Sequence, residues 1–173
     1  TSKSTFFHLA LLISRSGLGS FFSKKRPRLR VQSDGSFLAS RLSTWVFMRE
    51  ALKIMRQHKN EAHIININST FGINGTTQLP INVYPASKFA LRGMTDTFKA
   101  ELEFSKVTSI RVTSIHVGLT STEIFGDSAL FNKVKSKFPN LKSSDIAGGV
   151  VFVLSMPSYV QLDEIKVTAK LNK

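Results

Sequence analysis

Two stretches of the chain alternate side chains with the two-residue period of a strand: His63-Ile-Ile-Asn-Ile-Asn-Ser69 and Ile110-Arg-Val-Thr-Ser-Ile-His-Val117. Successive strand residues face opposite sides of a sheet, so runs this rich in Ile and Val predict buried strands. Around them the period changes to that of a helix. From about Ser43 to Gln57, Trp45, Val46, Leu52 and Met55 fall at helical spacing, opposed by Arg49, Glu50, Lys53 and Arg56, which predicts a surface helix covering a sheet. A second helix is predicted from Tyr84 to Phe104. Its Pro85 suits a first turn, and Ala86, Ala90, Met94, Phe98 and Leu102 form an apolar stripe expected to pack in the core. Ser143-Ser-Asp145 is expected to cap a helix that runs to about Met156 and stops at Pro157, and Gln161 to Ala169 reads as a final strand. Strands alternating with helices predict an α/β fold with a parallel sheet.

The first 36 residues do not share this regularity. Phe6 to Ile13 is apolar but much shorter than the ~20 residues of a membrane helix. It reads as a buried first strand or as the apolar part of a signal peptide, although no small-x-small cleavage site follows. Lys24-Lys-Arg-Pro-Arg-Leu-Arg30 then clusters charge, and residues 1–36 hold seven of the 24 basic residues against Asp34 alone. The net charge of +13 is therefore partly a property of this leader. A like-charge block usually stays solvated and disordered; a nuclear-localisation or nucleic-acid patch is the lesser reading, because no aromatic platform is interleaved. The expected division is a basic leader over 1–36 and an α/β unit over 37–173. The absence of cysteine excludes disulfides and thiolate metal sites, and His8, His58 and His63 lack ligand spacing, so no metal is expected. Thr1 in place of Met points to a processed or incomplete amino end, whereas the carboxyl end reads as complete.

Chemistry concentrates at Tyr84-Pro-Ala-Ser-Lys88. Residues four apart share one helical face, so the Lys88 ammonium can lie by the Tyr84 phenol and favour its ionised form. Tyr84 is thereby a candidate acid/base. Ser69 ends its strand at the carboxyl edge of the sheet, where open α/β sheets gather their chemistry. Any helix can carry a Tyr and a Lys at this spacing. The stronger signal is the order: Ser69, then Tyr84 to Lys88, then a strand ending in Gly118. With Asn66-Ile-Asn-Ser69, Leu79-Pro-Ile-Asn-Val-Tyr-Pro-Ala-Ser-Lys-Phe-Ala-Leu91 and Val150-Val-Phe-Val-Leu-Ser-Met-Pro-Ser-Tyr-Val-Gln161, this order resembles the short-chain dehydrogenase/reductase family, from about Leu42 to Lys173. The likeness is greatest to the branch of farnesol dehydrogenases and family-member-11 reductases.

The resemblance implies a Rossmann-like, doubly wound parallel sheet of which this chain carries the carboxyl-terminal part, with the amino-terminal cofactor half largely missing. Gly17 and Gly19 match the last two glycines of the family's cofactor turn, but Ile13 stands at the first. Too few residues separate Gly19 from Ser69 for more than one strand, crossover helix and strand, which take about 30 residues. By resemblance Ser69, Tyr84 and Lys88 are catalytic, Tyr84 and Lys88 also meet the cofactor, Gly118 brings backbone to the nicotinamide, and Thr122 supplies a hydroxyl near its carboxamide. Val117 replaces the family's proline, and no asparagine occurs between Ser33 and Lys59 to serve the family's proton relay. His116 reads as a packed histidine before a catalytic base.

The implied activity is hydride transfer between NAD or NADP, with NADP favoured, and an apolar alcohol or ketone of farnesol, steroid or retinol type. Ile124, Phe125, Leu130 and Phe131 would line the substrate loop or close their own core. A homo-oligomer, a cytoplasmic location and no transmembrane segment are implied as well. A signal peptide or nuclear signal within residues 1–36 remains the alternative for location. Two other functions stand beside the enzyme: a catalytically inactive remnant acting as an interaction protein, and a basic nucleic-acid-binding module resting on Lys24 to Arg30.

Overall fold

The computed structural model describes residues 7–11, 36–58, 61–74, 84–121, 132 and 135–170. Strand β1 (Phe7–Leu11) comes first, then helix α1 (Ser36–His58), strand β2 (Ala62–Ser69) and a 3-10 turn (Thr70–Gly72). Helix α2 (Tyr84–Phe104), strand β3 (Ile110–Val117), helix α3 (Ser143–Ser155) and strand β4 (Glu164–Val167) follow. The expected α/β class with a parallel sheet is what forms. All four strands pair in parallel in the order β1-β2-β3-β4. Parallel neighbours need a crossover, and α1, α2 and α3 supply the three.

The strand period decides which residues face which helix. Ala62 and Ile64 of β2 and Ile110 and Val112 of β3 pack against Met48, Ala51 and Met55 of α1 and Phe98 and Leu102 of α2. Trp45 meets Phe98 edge-on, with ring centroids 6.0 Å apart. On the opposite face Ile65, Ile115 and Val153 are buried, flanked by Ile67, Val117, Val150, Leu154, Ile165 and Val167. Thus α1 and α2 cover one side of the sheet and α3 the other, the two-sided arrangement that keeps a parallel sheet dry.

Three expectations are corrected. The buried row of α2 is not the five-residue stripe: Ala86 and Ala90 are exposed and Met94 is half-buried, whereas Ser87, Lys88, Leu91, Thr95, Phe98 and Leu102 are buried. At 3.6 residues per turn, each step of four advances about 40° round the helix, so a row of fours leaves the core within a few turns. The buried row instead mixes steps of three and four. Helix α1 begins at Ser36 rather than near Ser43, since its apolar spacing continues upstream through Leu38 and Leu42. At the start of α3, Asp145 does the capping: its carboxylate accepts from the Lys142 backbone N–H at 2.7 Å. Within the apolar run at 6–13, Phe7–Leu11 form β1, one of the run's two readings. No helix among the described residues is long and apolar enough to cross a membrane.

Between α3 and β4, the Arg111 guanidinium donates from Nη1 to the carbonyls of Met156, Pro157 and Val160 at 3.2–3.3 Å. Gln161 Nε2 donates to the Val112 carbonyl at 2.7 Å. These bonds aim β4 along β3, which matters because β4 brings Glu164 to the polar end of the sheet.

Candidate active site

Strand β2 delivers Ser69 at its carboxyl end, where the chain turns at once into the 3-10 turn. Ser69 Oγ accepts from the Phe71 N–H at 3.2 Å, so the serine caps the turn it starts. Asn68 points to the other face and makes two bonds: its Oδ1 accepts from the Ser69 N–H at 2.8 Å, and its Nδ2 donates to the Lys88 carbonyl at 3.2 Å. The strand end is thereby tied to the first turn of α2. A side chain at Gly72 would break that arrangement, because a Cβ there would sit 2.8 Å from the Lys88 carbonyl oxygen and 2.9 Å from Asn68 Nδ2. Glycine lets the turn press against the helix.

Helix α2 starts at Tyr84, and the Ser87 hydroxyl donates to the Tyr84 carbonyl at 2.6 Å. The Phe71 ring meets the Tyr84 ring edge-on at 6.0 Å, fixing the phenol from the side of the turn. Lys88 is 6% exposed, and its Nζ lies over the Tyr84 ring, 5.5 Å from the centroid. The one-face geometry expected from the four-residue spacing is therefore present. Ser69, Tyr84 and Lys88 meet through shared neighbours: Phe71 bonds one and packs on another, and Asn68 touches the backbones of Ser69 and Lys88.

Gly118 follows Val117, the register partner of Ser69, and so lies at the same edge of the sheet. Its N–H donates to the Val167 carbonyl at 2.8 Å, and a Cβ there would meet Thr168 Cγ2 at 3.3 Å. The missing side chain thus lets the outgoing end of β4 pack close to β3. Thr122, the substrate-loop residues Ile124, Phe125, Leu130 and Phe131, the glycines Gly17 and Gly19, and the run Lys24 to Arg30 lie outside the described residues.

Behind the site is a buried polar group that sequence reasoning left unassembled. His116 is fully buried, with Nδ1 3.2 Å from the Ser69 carbonyl oxygen. Its Nε2 lies 3.2 Å from Glu164 Oε1, within ion-pair range but off the line of a hydrogen bond. Glu164 in turn accepts a fork from Arg92 of α2 at 2.7 and 3.1 Å. Partial burial works to raise the Glu164 carboxyl, but the Arg92 hydrogen bond and the charges of His116 and Arg92 outweigh it and hold the group below its ordinary value. Asn68, Phe71 and Gly72 were also not singled out; the glycine in a turn-rich loop was the available signal for the last.

Comparison with known proteins places the chain in a class. The short chain dehydrogenase family model matches residues 36–133, and the chain belongs to that family. It is similar to a farnesol dehydrogenase of Aedes aegypti, 34% identical over 119 residues covering 69% of this chain and 46% of the relative. It is likewise similar to dehydrogenase/reductase SDR family member 11 of Gallus gallus, 32% identical over 151 residues covering 84% and 57%. Among solved structures, 4-hydroxyisoleucine dehydrogenase complexed with NADH and succinate superposes with a TM-score of 0.61 at 26% identity, covering 79% of this chain and 58% of that one. The chain spans about half the length of the curated relatives it matches.

Proposed function

We propose that the chain carries the reacting centre of an oxidoreductase that moves a hydride between NAD or NADP and a carbon bearing a hydroxyl or carbonyl, in an apolar alcohol or ketone of farnesol, steroid or retinol type. The observation that carries this reading is the buried Lys88 ammonium over the Tyr84 ring, beside the strand end that presents Ser69. Tyr84 gives or takes the proton at the substrate oxygen. Lys88 favours negative charge developing on the phenol oxygen and offers hydrogen bonds to a ribose diol, since an ammonium has three donors. Ser69 hydrogen-bonds the substrate oxygen. When bound, the cofactor supplies or accepts the hydride. The donor set of one ammonium and two hydroxyls suits its nicotinamide-ribose end, and Gly118 and Thr122 are proposed to flank that end. The likeness to a farnesol dehydrogenase and to an NADH-complexed structure supports the substrate and cofactor classes.

The test is titration of the full chain with NADPH and with NADH, followed by nicotinamide fluorescence and thermal shift. Binding at a hundredfold excess over Kd stabilises by about 2.7 kcal/mol. Farnesol oxidation is then assayed, and Tyr84→Phe is expected to lower turnover by ~10²–10⁴-fold with cofactor binding retained. A folded chain with no saturable signal for either cofactor, or full turnover in Tyr84→Phe, refutes the reading. A homo-oligomer is proposed with it, supported by exposed Val46, Phe47 and Ile54 on α1 and by Phe104, 91% exposed, at the end of α2. A strict monomer by light scattering at tens of micromolar refutes that.

A further inference from the structure

The face of the sheet under α1 and α2 changes character along its strands. Toward the amino ends it carries Ala62, Ile64, Ile110 and Val112; toward the carboxyl ends the same alternate positions carry Asn66, Asn68, Ser114 and His116, joined by Glu164 from β4. Burying polar groups costs free energy unless partners replace water, so each partner here has a structural consequence. Asn66 donates to Thr95 Oγ1 at 2.9 Å and Asn68 to the Lys88 carbonyl at 3.2 Å, both on α2. His116 is different, because it reaches in two directions. A carbonyl can only accept, so at 3.2 Å from the Ser69 oxygen Nδ1 is the donor. On the other side Nε2 faces a carboxylate that a two-pronged Arg92 bond holds in place. Arg92 lies one turn beyond Lys88 on the same helix. A continuous polar chain thus runs from the Ser69 backbone through His116 and Glu164 to the helix that presents Tyr84 and Lys88.

We propose that His116 is a positioning residue: by holding the Ser69 carbonyl against Glu164 and Arg92, it sets where the Ser69 hydroxyl stands relative to Tyr84 and Lys88. This rests on the reading of those three residues as the reacting centre. Ser69 is the last residue of its strand, paired with Val117 at the very end of the sheet's ladder, so its carbonyl is the one most in need of a second anchor. Its hydroxyl hangs from the same Cα as that carbonyl, so a shift of the residue's backbone carries the hydroxyl with it. Misplacement of a reacting group by about 1 Å can cost ~10²-fold in rate.

The side-chain chemistry allows the two directions to be separated. In asparagine the amide nitrogen is bonded to Cγ, as Nδ1 is in histidine; in glutamine it lies one atom further out, near the place of Nε2. His116→Asn therefore keeps the donor to Ser69, and His116→Gln keeps the contact with Glu164. With the full chain, farnesol and NADP+, His116→Gln is expected to lower kcat by ~10–100-fold while KM for farnesol stays within about threefold. His116→Asn is expected to recover at least about tenfold of that loss. In 13C/15N-labelled protein the Ser69 carbonyl resonance should shift in the glutamine variant and hold near its wild-type place in the asparagine variant. Equal kcat losses in the two variants, or wild-type kcat in His116→Gln, overturn the proposal, as does a Ser69 resonance indifferent to both. Glu164→Gln guards against a loss of folding at the buried site. It keeps a bond from Arg92 at a half-buried strand position, removes the carboxylate facing Nε2, and is expected to shift the Ser69 resonance and lower kcat; an unchanged resonance and kcat also overturn the proposal. A wild-type chain without farnesol turnover, whose Ser69 resonance still follows the glutamine substitution, leaves the anchoring intact and refutes only the catalytic reading.

Discussion

Gly72→Ala tests whether the 3-10 turn is packed as tightly on α2 as the structure shows. The added methyl would lie 2.8 Å from the Lys88 carbonyl oxygen, 3.1 Å from its carbon and 2.9 Å from Asn68 Nδ2. None of these is the free end of a long side chain. The first two are backbone of a buried helical turn, and the third is held by its own bond to Lys88. Relief requires the turn to back away from the helix. Overpacking of this kind costs about 1–3 kcal/mol. If the movement also breaks the Asn68–Lys88 bond, a further ~1 kcal/mol is lost, because both partners are buried. The sum is about 2–4 kcal/mol, and at ~2–4 °C per kcal/mol for a chain of this size Tm should fall by roughly 5–15 °C. Urea unfolding with an unchanged slope separates this loss from a change in compactness. Gly93 is the control: it lies in α2 with nothing within 4 Å of its Cβ position, so Gly93→Ala should raise stability by about 0.5–1 kcal/mol. A Gly72→Ala protein as stable as wild type, or one stabilised as Gly93→Ala is expected to be, would refute the close approach and with it the anchoring of Lys88 by the strand end.

The remaining predictions concern the core and the ion pair behind the site. Phe98 is 2% exposed and packs on Trp45 and both flanking strands, so Phe98→Ala should cost about 3–5 kcal/mol by chemical denaturation; a cost under ~1 kcal/mol would mean that the helix does not bury this row. Glu164 has its folded value below the ordinary 4.5, so it binds fewer protons folded than unfolded in that range. Its stabilisation is present above the ordinary value and is lost as pH falls through the lower, folded one. Tm measured from pH 7 to pH 3 should show Glu164→Gln less stable than wild type at neutral pH and the difference shrinking below 4.5; a difference that grows on acidification would reverse the assignment.

Sequence alone determined the elements whose signal is local. Two runs of period 2 became β2 and β3, helical spacing became α1 and α2, and the four-residue step from Tyr84 to Lys88 put the ammonium on the phenol's face because helix geometry allows nothing else. The order of serine strand, tyrosine helix and glycine-ended strand carried the family for the same reason: it lies along the chain. What depends on how elements pack was not legible. Ala86 and Ala90 look as apolar as Leu91, and only the docking of α2 on β2 and β3 decides that Leu91 is buried and the alanines are not. Gly72 is one glycine among turn formers until the turn is pressed on Lys88. His116, Glu164 and Arg92 stand on three elements, each unremarkable in its own stretch. Pairing β4 beside β3 and laying α2 across that end of the sheet makes them one polar chain. Side-chain periodicity fixes a direction within one element, whereas distances between elements follow from the whole sheet and the helices that cover it.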